Sequence, residues 1–162
     1  MTPLKTTSLA AVLAPILALT LSAGPALAAG DADAVAATVR QFATAINVGD
    51  FKTAGDMQTA DVQITDEVPP YHWQGQGAPM AWLKDWGAFA EAKGISGQAM
   101  TWTGDPRVEI DGDRAYAVFP GVFGFKIKGA QVNETGTLGA SLVRTPAGWR
   151  MSAWTWAGSA PK

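Results

Sequence analysis

Residues 132–156 read VNETGTLGASLVRTPAGWRMSAWTW, and their pattern decides the fold. Val132 to Arg144 and Trp149 to Trp156 are runs of strand-favouring residues, separated by the turn chemistry of Pro146-Ala147-Gly148. They are expected to pair as a long hairpin. Gly136 and Gly139 lie inside the first of these strands, where glycine weakens a ladder and commonly marks a bulge or sharp bend, so the sheet should curl strongly. Strict alternation along the second strand puts Trp154 and Trp156 on one face with Arg150 and Ser152, and Met151, Ala153 and Thr155 on the other.

Further strands are expected upstream at Ala99–Thr103, Arg107–Ile110, Arg114–Phe119 and Val122–Lys128, with Asp111-Gly112-Asp113 and Gly129 as turns. Lys126 and Lys128 read as a solvated face opposite Phe125 and Ile127. Before residue 97 the periodicity is helical. Val35, Val39, Phe42, Ala43 and Ile46 recur at the spacing of one helix face, with Asp31 and Asp33 near its start and Gly49 at its stop. Asp50 then serves as an N-cap for a short helix over 51–57, packed back through Phe51 and Met57. Val62, Ile64, Asp66 and Val68 alternate with Gln63, Thr65 and Glu67 as a strand ending at Pro69-Pro70. A short extended piece, Tyr71-His72-Trp73, precedes a third helix from Ala78 to Lys93 whose apolar face carries Trp82, Leu83, Trp86, Phe89 and Ala90. Helices followed by a meander give an α+β class: a cone-shaped, curved antiparallel sheet packed against three N-terminal helices.

The N-terminus reads as a leader segment. Lys5 precedes an apolar run from Leu9 to Leu21, broken only by Pro15 and Thr20, and Gly24-Pro25 then leads to Ala26-Leu27-Ala28. The run is too short to anchor in a bilayer, and small residues occupy the positions a signal peptidase inspects, so residues 1–28 are expected to be a signal peptide cut after Ala28, with Ala29 as second choice. The mature protein, 29–158 with a frayed tail at 159–162, would be periplasmic or secreted, without a membrane anchor. The sequence has no cysteine, which removes thiol chemistry, disulfides and Cys-based metal sites. With one histidine a His-rich metal site is also impossible, and no metal or cofactor is expected. The chain has 12 Lys and Arg against 14 Asp and Glu, with no basic cluster to neutralise phosphates, so nucleic acid is not an expected partner.

The order of helix, short helix, strand, helix and curved meander resembles the nuclear transport factor two-like superfamily. The residues that carry the likeness are Phe42-Ala43-Thr44-Ala45-Ile46-Asn47-Val48-Gly49-Asp50-Phe51 and the hairpin Leu142–Met151. The segment Asp66–Gly75 further resembles an uncharacterised exported bacterial subgroup. The superfamily includes ketosteroid isomerases, SnoaL-like polyketide cyclases, dehydratases and many non-catalytic members, so the fold does not fix the function. The likeness implies Asp66 as a general base, since Asp61 followed by Asp66 matches the spacing around the isomerases' catalytic Asp. Those enzymes also use a Tyr and a protonated acid as an oxyanion hole. Phe42 and either Ala140 or Ser141 stand at those positions here, leaving only the weak donor of Ser141.

Asp66 on an apolar strand face suits a general base or ligand anchor, or a strand-end carboxylate bonded to loop amides. His72 could pair with Asp66 or Asp85, or simply tether a loop. Seven tryptophans and six phenylalanines suit a cavity for flat apolar molecules, with Phe42, Trp73, Trp82, Trp86, Phe119 and Phe123 as its expected lining and Glu134 as a carboxylate within it. The leading reading is an exported binding or accessory domain that takes a small apolar or aromatic molecule, with no established catalysis. Alternatives are an isomerase, cyclase or dehydratase using Asp66 with His72 or Glu134 assisting, and a structural homodimer whose exposed sheet face is the function. Under any of these readings a homodimer is expected through the outer sheet face, to which Trp154 and Trp156 contribute apolar area.

Overall fold

The computed structural model describes residues 25–159. Residues 1–24 of the expected leader and the last three residues of the expected tail lie outside the described residues. Ser159 still donates its backbone N–H to the Thr135 carbonyl at 2.7 Å, continuing the last strand's ladder.

Three helices precede most of the sheet: α1 (Pro25–Val48), α2 (Phe51–Asp56) and α3 (Ala78–Lys93). Helix α1 starts upstream of Asp31, so that residue lies within the helix rather than at its start, and its carboxylate receives a two-pronged ion pair from Arg144 at 3.0 and 2.5 Å. Val35, Val39 and Phe42 form its buried stripe. Asp50 caps α2 as its side chain accepts from the Thr53 backbone N–H at 3.1 Å. Ala54 anchors that helix, while Phe51, expected to pack inward, is 46% exposed.

The seven strands are β1 (Gln58–Thr65), β2 (His72–Gln74), β3 (Ile95–Trp102), β4 (Arg107–Asp111), β5 (Arg114–Ile127), β6 (Ala130–Thr145) and β7 (Gly148–Gly158). They form one curved sheet in the order β2-β1-β7-β6-β5-β3, with β4 also paired to β5. The α+β architecture is as expected, except that β1 lies parallel to β7 and makes the sheet mixed.

Two expected strands at 114–119 and 122–128 are one, β5. Pro120 does not break it because β4 pairs only as far as Val118 and β3 begins at Gly121. The Pro120 carbonyl points to that side, accepting from Thr103 N–H at 3.0 Å, so the missing N–H falls in the gap between two partners.

The bend arises elsewhere than at a bulge in β6. Gly121, Gly136 and Gly158 lie in register across β5, β6 and β7. At Gly136 an added Cβ would sit 2.5 Å from Trp156 Cζ2 and 2.6 Å from the Ala157 carbonyl oxygen, so this strand crosses β7 too closely for any side chain. The irregularity between β6 and β7 lies opposite Ser152, where Leu142 pairs with Met151 but Ser141 pairs with Ala153. That extra residue reverses the alternation: Trp149 and Met151 face the core, and so do Trp154 and Trp156.

Candidate functional site

Between α1, α3 and the concave sheet lies a cavity of about 670 Å³. Phe42 from α1, Trp82 and Trp86 from α3, Phe123 from β5, and Trp154 and Trp156 from β7 give it aromatic walls. Trp154 organises one side, with its ring centre 5.4 Å from Phe42 and 5.0 Å from Trp82, the latter edge-on. Trp86 meets Phe123 edge-on at 6.2 Å. Such tilted and edge-on pairs are the favoured aromatic geometries.

The indole N–H groups are mostly committed to the protein. Trp82 donates to Asp66 Oδ2 at 2.6 Å, Trp154 to Gln58 Oε1 at 2.9 Å and Trp156 to Glu134 Oε2 at 3.2 Å. Asn47, at the rim, exchanges two 2.8 Å hydrogen bonds with the Met100 backbone, donating to its carbonyl and accepting from its N–H. Each end of that amide thus makes one bond that joins α1 to β3.

Asp66 follows directly after β1 and lines the cavity. Its other oxygen accepts the Glu67 backbone N–H at 2.7 Å. Burial raises its pKa above the ordinary carboxylate value, against the lowering effect of the Trp82 and Glu67 hydrogen bonds. Asp66 thus combines two sequence readings, a carboxylate on the cavity wall and a strand-end acceptor for a loop amide.

Phe42, Trp82, Trp86 and Phe123 line the cavity as expected, but three expected lining residues do not. Trp73 is buried elsewhere and donates to Asp85 Oδ2 at 2.9 Å. Phe119 is fully buried against Trp102 at 5.0 Å. Glu134 lies behind Trp156, buried, and burial next to Glu67 and Asp66 pushes its carboxyl up to about 7. His72 is exposed on β2, with Gln74 Oε1 3.3 Å from its Nε2, and it bonds neither to Asp66 nor to Asp85. Its edge strand places it outside the cavity lining.

The oxyanion positions are likewise without donors. Phe42 reaches the cavity with a bare ring, Ala140 is buried, and Ser141 is exposed on the opposite face of β6. Trp154 and Trp156 are the aromatic lining residues of the last strand that sequence reasoning placed on the other face. The single-residue bulge at Ser152 hides them, because strict alternation fails once the ladder gains a residue.

A family model described as a SnoaL-like domain matches residues 28–155. No curated protein matches the chain. Among solved structures, a nuclear transport factor 2-like superfamily protein from Salmonella enterica aligns with TM-score 0.68 and 16% identity over 82% of this chain and 94% of that one. A candidate scytalone dehydratase from Novosphingobium aromaticivorans aligns with TM-score 0.71 and 9% identity over 86% and 91%. A hexachlorocyclohexane dehydrochlorinase aligns with TM-score 0.67 and 11% identity over 85% and 89%. At these identities the likeness is one of fold.

Proposed function

The chain belongs to the SnoaL-like domain family, and from that premise we propose that it is an exported binding or accessory domain that takes a small apolar or aromatic molecule into its aromatic-walled cavity. The observation that carries this reading is the cavity itself: about 670 Å³, walled by four indoles and three phenyl rings. A space of that size lined mainly by aromatic and aliphatic side chains is the usual form of a small-molecule site.

Gly87 on α3 provides the test. It lines the cavity, and an added Cβ there meets no atom within 4 Å, so a new side chain starts in open space beside the cavity. Replacing a helical glycine by phenylalanine also gains a few tenths of a kcal/mol of helix stability, less than the roughly 0.5–1 kcal/mol of a change to alanine because Phe is a weaker helix former. Gly87→Phe is therefore expected to abolish the fluorescence gain of the neutral dye Nile red while keeping or raising the thermal midpoint. Wild-type protein that leaves the dye unperturbed, or a variant that binds it equally well, would overturn the reading.

A second reading is favoured by one observation, the raised proton affinity of Asp66 on the cavity wall. It is an isomerase, cyclase or dehydratase with Asp66 as base, the class to which the names of the dehydratase and dehydrochlorinase above belong. Asp66 already accepts two hydrogen bonds, and the oxyanion positions lack donors, so we place this reading second. Turnover lost in Asp66→Asn with Nile red binding intact would reverse that order.

Export and pairing complete the proposal. The leader is cut after Ala28, and two copies meet through the convex sheet face, where Tyr116, Ser141 and Ala153 lie in register. Tyr116 is 46% exposed there, whereas Trp154 and Trp156 face inward and take no part. Mass spectrometry of protein recovered from the medium or periplasm tests both. The denatured chain is expected to begin at Ala29 and the native species to have twice its mass; a chain retaining Met1, or a native monomer, contradicts the corresponding half.

A further inference from the structure

The distribution of donors and acceptors around the cavity narrows its ligand. An apolar guest with a polar head needs a partner for that head. Three of the four indoles lining the cavity have their N–H groups bound to Asp66, Gln58 and Glu134, and the exposed Asn47 amide at the rim already exchanges two hydrogen bonds with Met100. Lys84, Glu91 and Gln98 also border the space, but all three are exposed. Deep in the site, a ligand acceptor such as a carbonyl therefore finds few donors, whereas Asp66 and the aromatic rings are electron-rich. Glu134 and Glu67 stand behind the Trp156 wall: Glu134 holds the Trp156 indole, and Glu67 accepts the Gly158 N–H at 2.7 Å.

Aromatic faces attract cations through the ring quadrupole, and the attraction strengthens where water is excluded. A carboxylate inside such a box adds direct Coulomb attraction and lessens the cost of burying the ligand's charge. A carboxylate-bearing ligand would meet the opposite field.

We propose that the ligand of this cavity is an organic ammonium compound, a tertiary or quaternary amine carrying an apolar group, held by the Trp82, Trp86, Trp154 and Trp156 indoles and by the Asp66 carboxylate. The inference rests on the small-molecule reading above and adds the charge of the guest. Trp82 links the two parts of the site, since its ring walls the cavity while its N–H orients Asp66.

The test compares two probes of nearly one shape, benzyltrimethylammonium and its neutral carbon isostere neopentylbenzene, by calorimetry and by displacement of Nile red. The expected result is a preference for the cation of at least about tenfold, corresponding to the usual strength of a desolvated cation–π contact. In Asp66→Asn and in Trp86→Leu that preference, read as the ratio of the two affinities within each variant, should shrink severalfold, whatever loss the two probes share. Circular dichroism and the thermal midpoint identify variants that are still folded. Equal or tighter binding of neopentylbenzene, or tighter binding of a phenol of similar size, overturns the ammonium proposal but leaves the cavity reading standing. If neither the probes nor Nile red bind, the cavity reading fails with it.

Discussion

Gly136→Val is expected to destabilise the protein by about 3 kcal/mol, the upper end of what overpacking usually costs. The new Cβ would lie 2.5 Å from Trp156 Cζ2, 2.6 Å from the Ala157 carbonyl oxygen and 2.8 Å from the Gly158 Cα. Two of those three neighbours are backbone and cannot turn aside as the end of a flexible side chain can. The paired strand would have to retreat, opening the bend that carries Trp156 over the cavity. Gly139, three residues along the same strand, is the control. A Cβ there meets only Thr155 Cγ2 at 3.5 Å, an ordinary contact, so Gly139→Ala should change stability by no more than about 0.5 kcal/mol. Urea unfolding of both variants checks the pair, and a Gly136→Val protein as stable as wild type would show that the strands separate there without cost.

That contrast also marks where sequence reading reaches its limit. Both glycines interrupt the same strand pattern, so both signal an irregular strand, but only their neighbours in space distinguish a glycine that is required from one that is tolerated. The helices were legible because their signals are local: α3 begins and ends at Ala78 and Lys93 as its apolar periodicity and flanking glycines imply. The long hairpin of β6 and β7 was legible for the same reason, whereas β5 read as two separate strands. Which strand lies beside which was not, and the parallel contact of β1 with β7 joins residues about ninety positions apart in sequence. The site followed the same division. Phe42, Trp82 and Trp86 lie on helices whose facing faces are periodic, and they reach the cavity as expected. Trp154 and Trp156 lie beyond the bulge at Ser152, where one extra residue exchanges inside for outside, so they belong to the cavity and not to the convex face. His72 was attractive as the sole histidine, a fact of composition that says nothing about its partners.

The largest pH effect should come from Glu134. Burial, the neighbouring Glu67 and the charge of Asp66 push its carboxyl from 4.5 to about 7, while the hydrogen bond from Trp156 acts in the opposite direction. In the unfolded chain the same group releases its proton near its ordinary value. Between about pH 4.5 and 7 the folded protein therefore holds a proton that the unfolded chain has lost, and stability falls as pH rises through that window. Below it both states are protonated; above it both are ionised and the cost of the buried charge is fully present. The raised Asp66 works in the same sense, whereas Asp31, lowered by Arg144, and Asp50, lowered by Thr53, lose stabilising contacts on acidification. Glu134→Gln isolates one group from this sum, since the amide oxygen can still accept from Trp156 and carries no charge. The variant is expected to match wild type at about pH 5 and to exceed it by on the order of 1–2 kcal/mol at about pH 8, the scale of removing an imperfectly compensated buried charge. The measurement is the difference between the two unfolding free energies at each pH, which cancels the other carboxylates. A difference that does not vary across the range would mean that Glu134 ionises in the fold as easily as in the open chain. A difference that grows toward acid would mean that its charged form stabilises the fold, as expected of a carboxylate held by a cation rather than one held by an indole and set beside two other acids.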